Sequence, residues 1–140
     1  SSIKLVHKSF KVTFNQFFFE NKFKAVGAID FTGAKIINVL QIYENADLSE
    51  AILNLKNARI NTLNDRKESW PQKGNLHIQG FTYEEIYDQA PLTTADRIKW
   101  LELQPQGNYN PQPYQQLAKV YKSIGDEEAA KTIEIEKNKT

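Results

Sequence analysis

Four acidic residues form the group in this sequence that is best suited to catalysis. Glu84, Glu85 and Asp88 lie close together, and Asp96 follows eight places later. Paired carboxylates can transfer protons or hold a divalent cation. Glu84 and Asp88 would share one face of a helix, but acids in the first turn of a helix also stabilise its positive end. The same explanation serves for Asp96, so we expect these acids to be structural.

Other candidates for catalysis or metal binding are few. His7 and His77 are the only histidines, and there is no cysteine. Neither histidine has partners at the spacing of a zinc site or of a base that activates a nucleophile. Glycine-rich phosphate loops and Gly-x-Ser-x-Gly turns are also absent. We therefore predict no cofactor, no bound metal and no catalytic residue, and interpret the chain as non-enzymatic.

Composition and charge exclude further classes of function. The 140 residues carry a formal net charge of +1 with both signs intermixed. This balance argues against nucleic acid as a partner and against attachment to a charged membrane surface. No apolar run approaches the roughly 18 residues that cross a bilayer, and there is no signal segment, so we predict no membrane insertion and a cytoplasmic location. Because Met is absent, we expect the chain to be a piece, or a processed form, of a longer protein.

The most informative pattern is a repeat of twelve residues in the first half of the chain. Copies that begin at Phe31, Tyr43 and Leu55 each place a large apolar residue, Gly or Asn, Ala, and Ile or Leu in the same order. Gly and Asn accept the left-handed backbone of a sharp corner, and Ala fits where coils are narrow. Stacked coils bury a continuous core that one repeat cannot bury alone. The pattern predicts a parallel β-solenoid over residues 1–80.

The sequence allows more than one arrangement of the repeats. In the simplest form, the small residues on successive strands form a ladder of Ala34, Ala46 and Ala58. Because twelve residues are few for a complete coil, the unit can instead be part of one coil that has two similar faces. A different interpretation makes residues 49–58 an amphipathic helix capped by Ser49, in an ordinary α+β domain.

The second half of the chain, residues 81–140, predicts helices that close one end of the solenoid. A stack of parallel strands ends in unpaired backbone donors and acceptors, and helices folded over that end would prevent edge-to-edge growth. Capping residues and helix breakers predict four helices, which begin near Tyr83, after Thr94, after Asn110 and near Asp126.

The last two of these helices resemble one tetratricopeptide repeat, a hairpin of two closely packed helices. The residues at that family's spacing are Leu117, Ala118, Tyr121, Gly125 and Ala130. One such hairpin is unstable alone, so we expect it to pack on the β part. If it binds peptides, Tyr114, Lys119 and Tyr121 should line an exposed concave groove.

The order of elements also resembles a family of uncharacterised bacterial proteins that are associated with membranes. The residues that carry this resemblance are Gly33-Ala34-Lys35-Ile36, Trp70, Gly80-Phe81-Thr82-Tyr83 and Pro111-Gln112-Pro113-Tyr114, with Gln116-Leu117-Ala118 after them. The similarity covers residues 24–137. Relatives often continue into membrane-spanning segments, which implies that this chain lies beside a membrane as part of a larger protein.

Three consecutive phenylalanines indicate an interaction surface near the start of the chain. In a strand, Phe17, Phe18 and Phe19 cannot all face one core, so Phe18 should pack on an upstream segment or in a subunit interface. We predict a scaffold or protein-interaction segment that binds a partner, or a second copy, through the open N-terminal end of the solenoid. The alternatives are a peptide-binding module built on the helical hairpin, and an enzyme with a site where the β and helical parts meet, near Glu84 and Asp96.

Overall fold

The chain alternates between two parallel β-sheets and then forms three helices. The structure is a computed structural model that describes residues 4–87, 92–107 and 109–139. Its strands are β1 (Lys4–Ser9), β2 (Thr13–Phe14), β3 (Phe17–Phe19), β4 (Lys24–Asp30), β5 (Lys35–Ile42), β6 (Asp47–Asn54), β7 (Arg59–Asn64), β8 (Leu76–His77) and β9 (Thr82–Ile86). Its helices are α1 (Thr94–Leu101), α2 (Gln112–Ser123) and α3 (Glu127–Lys137), and a short 3-10 turn covers Lys67–Ser69.

The strand order confirms the predicted parallel β-solenoid. One sheet has the order β1-β4-β6-β8, and the other has the order β2-β5-β7-β9 with β3 also paired to β5. Every pair is parallel, and the chain changes sheet at each corner to make about four coils. Lys35 lies beside Arg59 and Leu53 beside Leu76, so these later coils take 24 or 23 residues. The first coil is shorter, since Lys4 lies beside Lys24, 20 residues later. The strands continue to Ile86, beyond the predicted end of the solenoid at residue 80.

The predicted ladder of three alanines is wrong, because twelve residues make half a coil. Arg59 N donates to Ala34 O at 2.9 Å and Thr82 N donates to Ala58 O at 3.0 Å, so Ala34 and Ala58 share one corner. Ala46 lies at the opposite corner, above Phe23. The chain needs two strands and two turns to return to the same corner. The twelve-residue unit is therefore half of a coil whose two sheets resemble each other, which is the second of the two predicted forms.

The corner that holds Ala34 and Ala58 shows why the repeat needs Gly or Asn. In the second, third and fourth coils, the fourth amide of the turn at this corner donates to the first carbonyl, as in Ala34 N to Phe31 O at 2.9 Å. The third residues of these turns have positive φ, at 71° for Gly33, 57° for Asn57 and 73° for Gly80. The opposite corner is less regular, since Lys22 has a φ of 65° and Asn45 has no positive φ.

The core continues from the solenoid into the helices. Inward-facing residues of both sheets are buried in one cluster, and Trp100, Leu101, Leu117 and Ile133 from the three helices belong to the same cluster. Because the helices complete that core, they close the C-terminal end of the solenoid as predicted. The family character of the hairpin formed by α2 and α3 stays a prediction.

One alternative interpretation and one helix prediction are wrong. Residues 49–58 contain β6 and a corner instead of a helix. The residues from Tyr83 onward form β9, in which Tyr83 pairs with Ile60 of β7. Pairing with β7 outweighs the helical preference of the two glutamates, since intrinsic propensity is weak against tertiary contacts. Asp88 and Pro91 lie outside the described residues.

The remaining helices begin within one residue of the predicted positions. Thr93, rather than Thr94, caps α1, because its hydroxyl accepts from Asp96 N while the Asp96 carboxylate accepts from Thr93 N. Asn110 Oδ1 accepts from Gln112 N at 2.9 Å at the start of α2. Gly125, with a φ of 82°, ends α2, and Asp126 caps α3 by accepting from Ala129 N.

Candidate interaction surface

The N-terminal end of the solenoid is formed by the first coil, residues 4–23. β1 is the outermost strand of one sheet, and β2 and β3 are outermost in the other. Among the described residues, each of these strands has a partner on one side alone. The backbone groups on their other side can therefore pair with an added strand. We call this surface the open end.

Phenylalanine rings fill the space between the sheets at the open end. Phe10 and Phe17 lie 4.9 and 5.0 Å from Phe31, and Phe14 lies 5.4 Å from Phe17, between ring centroids. Phe31, in the second coil, is fully buried beneath them, whereas Phe10, Phe14 and Phe17 are half-buried. The first coil thus presents apolar aromatic surface, as protein interfaces commonly do.

Phe18 lies on the outer face of the second sheet, beside the next coil. Phe17 and Phe19 point between the sheets and contact each other, so the strand alternation expected from sequence is present. Phe18 is half-buried, and its ring lies 6.5 Å from that of Tyr43. Val12, just before β2, is 58% exposed.

The C-terminal end, in contrast, is closed by side-chain amides. Gly80 N donates to Gln112 Oε1 at 2.8 Å, and Gln112 Nε2 donates to Phe81 O at 3.1 Å. Gln116 Nε2, one turn further along α2, donates to Tyr83 O at 2.6 Å. Residues four apart lie on one helix face, so these two glutamines take the place of a further strand beside β9. We call this surface the closed end.

The other sheet is closed by a backbone carbonyl. Leu103 O, just after α1, accepts from Gly74 N at 2.7 Å and from Leu76 N at 3.3 Å. The segment after α1 therefore satisfies amides at the start of β8. Both sheets of the last coil thus have hydrogen-bond partners from the helical part.

A buried ion pair joins the solenoid to the helices. Arg97 of α1 donates to both carboxylate oxygens of Asp65, at 2.8 and 2.6 Å. Trp70 Nε1 donates to Asp65 Oδ2 at 3.0 Å, and the guanidinium lies 5.8 Å from the Trp70 ring and 5.1 Å from the Trp100 ring. Arg97 is 1% exposed, so this pair depends on its own contacts and not on water. This buried pair fixes α1 to the segment that follows β7, and we call it the joint.

Tyr83 lies against this joint. Its ring contacts those of Phe81 and Trp100, and its hydroxyl has no hydrogen-bond partner among the described residues. Burial raises the pKa of the Tyr83 hydroxyl far above its ordinary value, with the Arg97 charge as an opposing influence. A hydroxyl held neutral in this way contributes packing and no proton transfer near neutral pH.

The acids singled out from the sequence have separate structural contacts. Glu84 is exposed on β9, and Glu85 accepts from the Thr62 hydroxyl at 2.8 Å. Asp96 belongs to the capping box of α1, and hydrogen bonds from Thr93 lower its pKa below the usual value. Within residues 4–87, 92–107 and 109–139, no three His, Asp or Glu side chains are grouped so that they could hold a metal ion.

The residues predicted for a peptide groove are spread along α2. Tyr114 is half-buried, faces Tyr109 at 6.2 Å and lines an open cleft of about 450 Å³. Lys119 is exposed, and Tyr121 is half-buried against the core. The cleft is also lined by Lys73, Leu101 and Glu102 but not by Lys119 or Tyr121.

Sequence reasoning missed the residues that build the closed end. Gln112 and Gln116 stand at the i, i+4 spacing of one helix face, which is the signal that could have identified them. Arg97 stands three residues before Trp100, on a face of α1 that is otherwise apolar. A cation on such a face is expected to be buried, and a buried cation needs an anionic partner. Its partner Asp65 lies 32 residues away, and no local pattern relates the two.

Comparisons with protein-family models, with curated proteins and with solved structures find no match for this chain. The resemblance to membrane-associated bacterial proteins thus stays a prediction. No helix within the described ranges combines the length and the apolar character needed to cross a membrane.

Proposed function

We propose that this chain is a non-enzymatic protein-interaction segment, and that its open end binds the partner. The observation that carries the proposal is the difference between the two ends of one solenoid. The closed end satisfies its backbone groups with Gln112, Gln116 and Leu103. The open end presents edge strands and half-buried phenylalanine rings.

Edge strands explain how such a surface would bind. An added strand gains main-chain hydrogen bonds for affinity, and its alternate side chains supply specificity. At the open end, the inward side chains of an added strand would lie over Phe10, Phe14 and Phe17. Covering these rings would extend the core by one layer, as the second coil does for the third.

The cellular setting belongs to the proposal as well. The resemblance described above supports a segment of a larger, membrane-associated bacterial protein that scaffolds other proteins on its cytoplasmic side. Binding at the open end would leave the helices on the opposite side of the solenoid. Because the helices cover the closed end, further strands could be added to the solenoid at the open end alone.

A photo-crosslinking experiment tests the proposal. Because the chain has no cysteine, single Cys substitutions can carry a crosslinker at chosen positions. Val12→Cys places it at the open end, and Ile124→Cys, at a residue 67% exposed after α2, is the matched control. We expect one protein of the source cell to be captured from position 12 and not from position 124. That protein, once purified, should shift the backbone NMR signals of β1, β2 and β3.

Two results would contradict the proposal. Capture that is equal from both positions would show that the open end has no special role. Absence of any shift in β1, β2 and β3 on adding the captured protein would do the same. Circular dichroism of both variants checks that the solenoid is intact.

Peptide binding beside α2 is a second candidate, favoured by the cleft that Tyr109 and Tyr114 line. It predicts that a bound peptide shifts the signals of Lys73, Tyr109 and Tyr114, which line this cleft. Tyr114→Ala should then weaken binding, while Val12→Asp leaves it unchanged. The reverse pattern favours the open end.

A further inference from the structure

We infer that the partner of the open end is an acidic, extended polypeptide segment that adds as a strand to β1, and not a second copy of this chain. The inference rests on the proposed function and specifies the chemistry of the partner. It is carried by the distribution of charge along the solenoid together with the free edge of β1.

Charge is distributed unequally among the coils. The first coil, residues 4–23, has four lysines and one glutamate, a formal charge of +3. The last coil, over its described residues 76–87, has two acids and no Lys or Arg, a formal charge of −2. The whole chain carries +1, so the small net charge conceals a basic open end and an acidic last coil.

The lysines of the open end are available to a partner. Lys8, Lys11 and Lys22 are exposed, and none of them forms an ion pair with a described residue. Lys24, at the start of the second coil, is instead paired with Glu50 of the third. An incoming strand with carboxylates would provide the first coil with the kind of pairing that Lys24 already has.

A second copy is a poor occupant for two reasons. The closed end prevents head-to-tail stacking, so two copies could associate through their basic open ends alone, in a symmetric pair. That pair would bring two coils of charge +3 together, and like charges across an interface oppose binding. Lysines on an edge strand are a recognised means of preventing self-pairing.

β1 is the strand that a partner can follow furthest. It has six residues, whereas β2 and β3 have two and three. His7, with a φ of 50°, makes a bulge between Val6 and Lys8, and pairing with β4 resumes after it. Bulges discourage unselective pairing at an edge, so charge and apolar contacts should decide which segment binds.

Synthetic peptides test the partner's chemistry on the full chain. We would use an eight-residue peptide of alternating valine and glutamate, and a matched peptide of alternating valine and lysine. The acidic peptide should bind about tenfold more tightly at low salt, since each of several exposed ion pairs contributes modestly. The difference should shrink as ionic strength rises, and the NMR shifts should centre on β1.

Charge reversal at the open end should invert this preference. The test variant carries Lys8→Glu, Lys11→Glu and Lys22→Glu. The matched control carries Lys99→Glu, Lys119→Glu and Lys131→Glu, three exposed lysines of the helices with the same total change in charge. The control should retain the preference for the acidic peptide. Because all six lysines are exposed, both variants should keep their circular dichroism spectrum.

The outcomes separate this inference from the proposed function. Equal binding of both peptides at β1, or a preference for the basic one, overturns the acidic partner and leaves the open end as a binding surface. A wild-type dimer in sedimentation equilibrium that protects the β1 amides also overturns it, in favour of a second copy. Failure of both peptides to shift β1 signals, with no protein crosslinked from position 12, overturns the proposed function itself.

Discussion

The two ends of the solenoid meet the same physical problem in opposite ways. A stack of parallel strands has unsatisfied backbone groups at its first and last coils. At the closed end, Gln112 and Gln116 supply both donors and an acceptor, and Leu103 supplies a second acceptor. At the open end, β1, β2 and β3 are covered by no other described element.

The difference shows what closing an edge requires. Side-chain amides substitute for a strand when a rigid helix holds them at the right height above the sheet. Here α1 is fixed by the pair of Arg97 and Asp65, and α2 follows it into the shared core. The described residues of the open end form no comparable joint. We therefore expect substitutions at the closed end to be the more destabilising.

The largest effect should come from breaking the joint. Arg97→Ala leaves the Asp65 carboxylate buried without its cation, which should lower the free energy of unfolding by about 3–5 kcal/mol. Urea denaturation monitored by circular dichroism measures this loss. Replacing both partners, with Arg97→Met and Asp65→Leu, should cost much less, apart from the lost acceptor of Trp70 Nε1. A single variant within about 1 kcal/mol of wild type would contradict the importance of the joint.

A smaller effect should separate two glycines of the same corner. A Cβ on Gly80 would overlap the Asn57 side chain, whereas a Cβ on Gly33 meets nothing. Both glycines have positive φ, so Gly33→Ala should cost about 1 kcal/mol and Gly80→Ala about 2–3 kcal/mol. Adding Asn57→Gly to Gly80→Ala should recover most of the difference. Equal melting temperatures for the two single variants would refute this account of the last corner.

A still smaller effect should follow from removing one glutamine of the closed end. Gln112→Ala leaves Gly80 N and Phe81 O without their side-chain partners, which should cost about 1–2 kcal/mol. Exposed Gln115 on the same helix is the matched control, and Gln115→Ala should change stability by less than about 0.5 kcal/mol. Hydrogen exchange should accelerate at the Gly80 amide in the first variant. An unchanged exchange rate would mean that another group closes β9.

The smallest effect should appear in the pH dependence of the closed end. Burial, with a further contribution from the Lys56 charge, lowers the pKa of His77 below its ordinary value. The folded state therefore resists protonation of His77 more than the unfolded state does. The contribution of neutral His77 to the free energy of unfolding is fully present above the pKa of histidine in the unfolded chain, about 6.5. It is lost as the pH falls through the pKa of His77 in the folded protein. NMR titration should give a pKa below 6.5, raised slightly by Lys56→Gln, and His77→Gln should weaken the loss of stability on acidification.

Features that depend on neighbouring residues could be predicted well. Gly33 and Asn57 marked sharp corners in their repeats because a positive φ is a local demand on the backbone, whereas Asn45, predicted in the same way, has no positive φ. Asn110 marked the start of α2 because its side chain can accept from a nearby backbone amide, here that of Gln112. The phenylalanines of β3 indicated surface at the start of the solenoid, and the structure places half-buried rings there.

Features that depend on distant partners could not. The twelve-residue spacing predicted a stack but not that successive copies face opposite sheets, because both arrangements repeat the same local turn. Tyr83 was expected in a helix because its pairing with β7, 23 residues earlier, is invisible in its own neighbourhood. The glutamines of α2 gained their role when the helix was placed over β9.

The sequence by itself determined a parallel solenoid, the sharp turns at its regular corner and a helical closure after it. Those properties follow from local backbone preferences and from the need to bury repeated apolar residues together. Tertiary structure alone decided which copies stack, which segment becomes the last strand and how the final edge is satisfied. These outcomes depend on contacts between residues far apart in the sequence, such as Asp65 and Arg97, which are separated by 32 residues. Such a pair interacts strongly only after folding has buried both groups together.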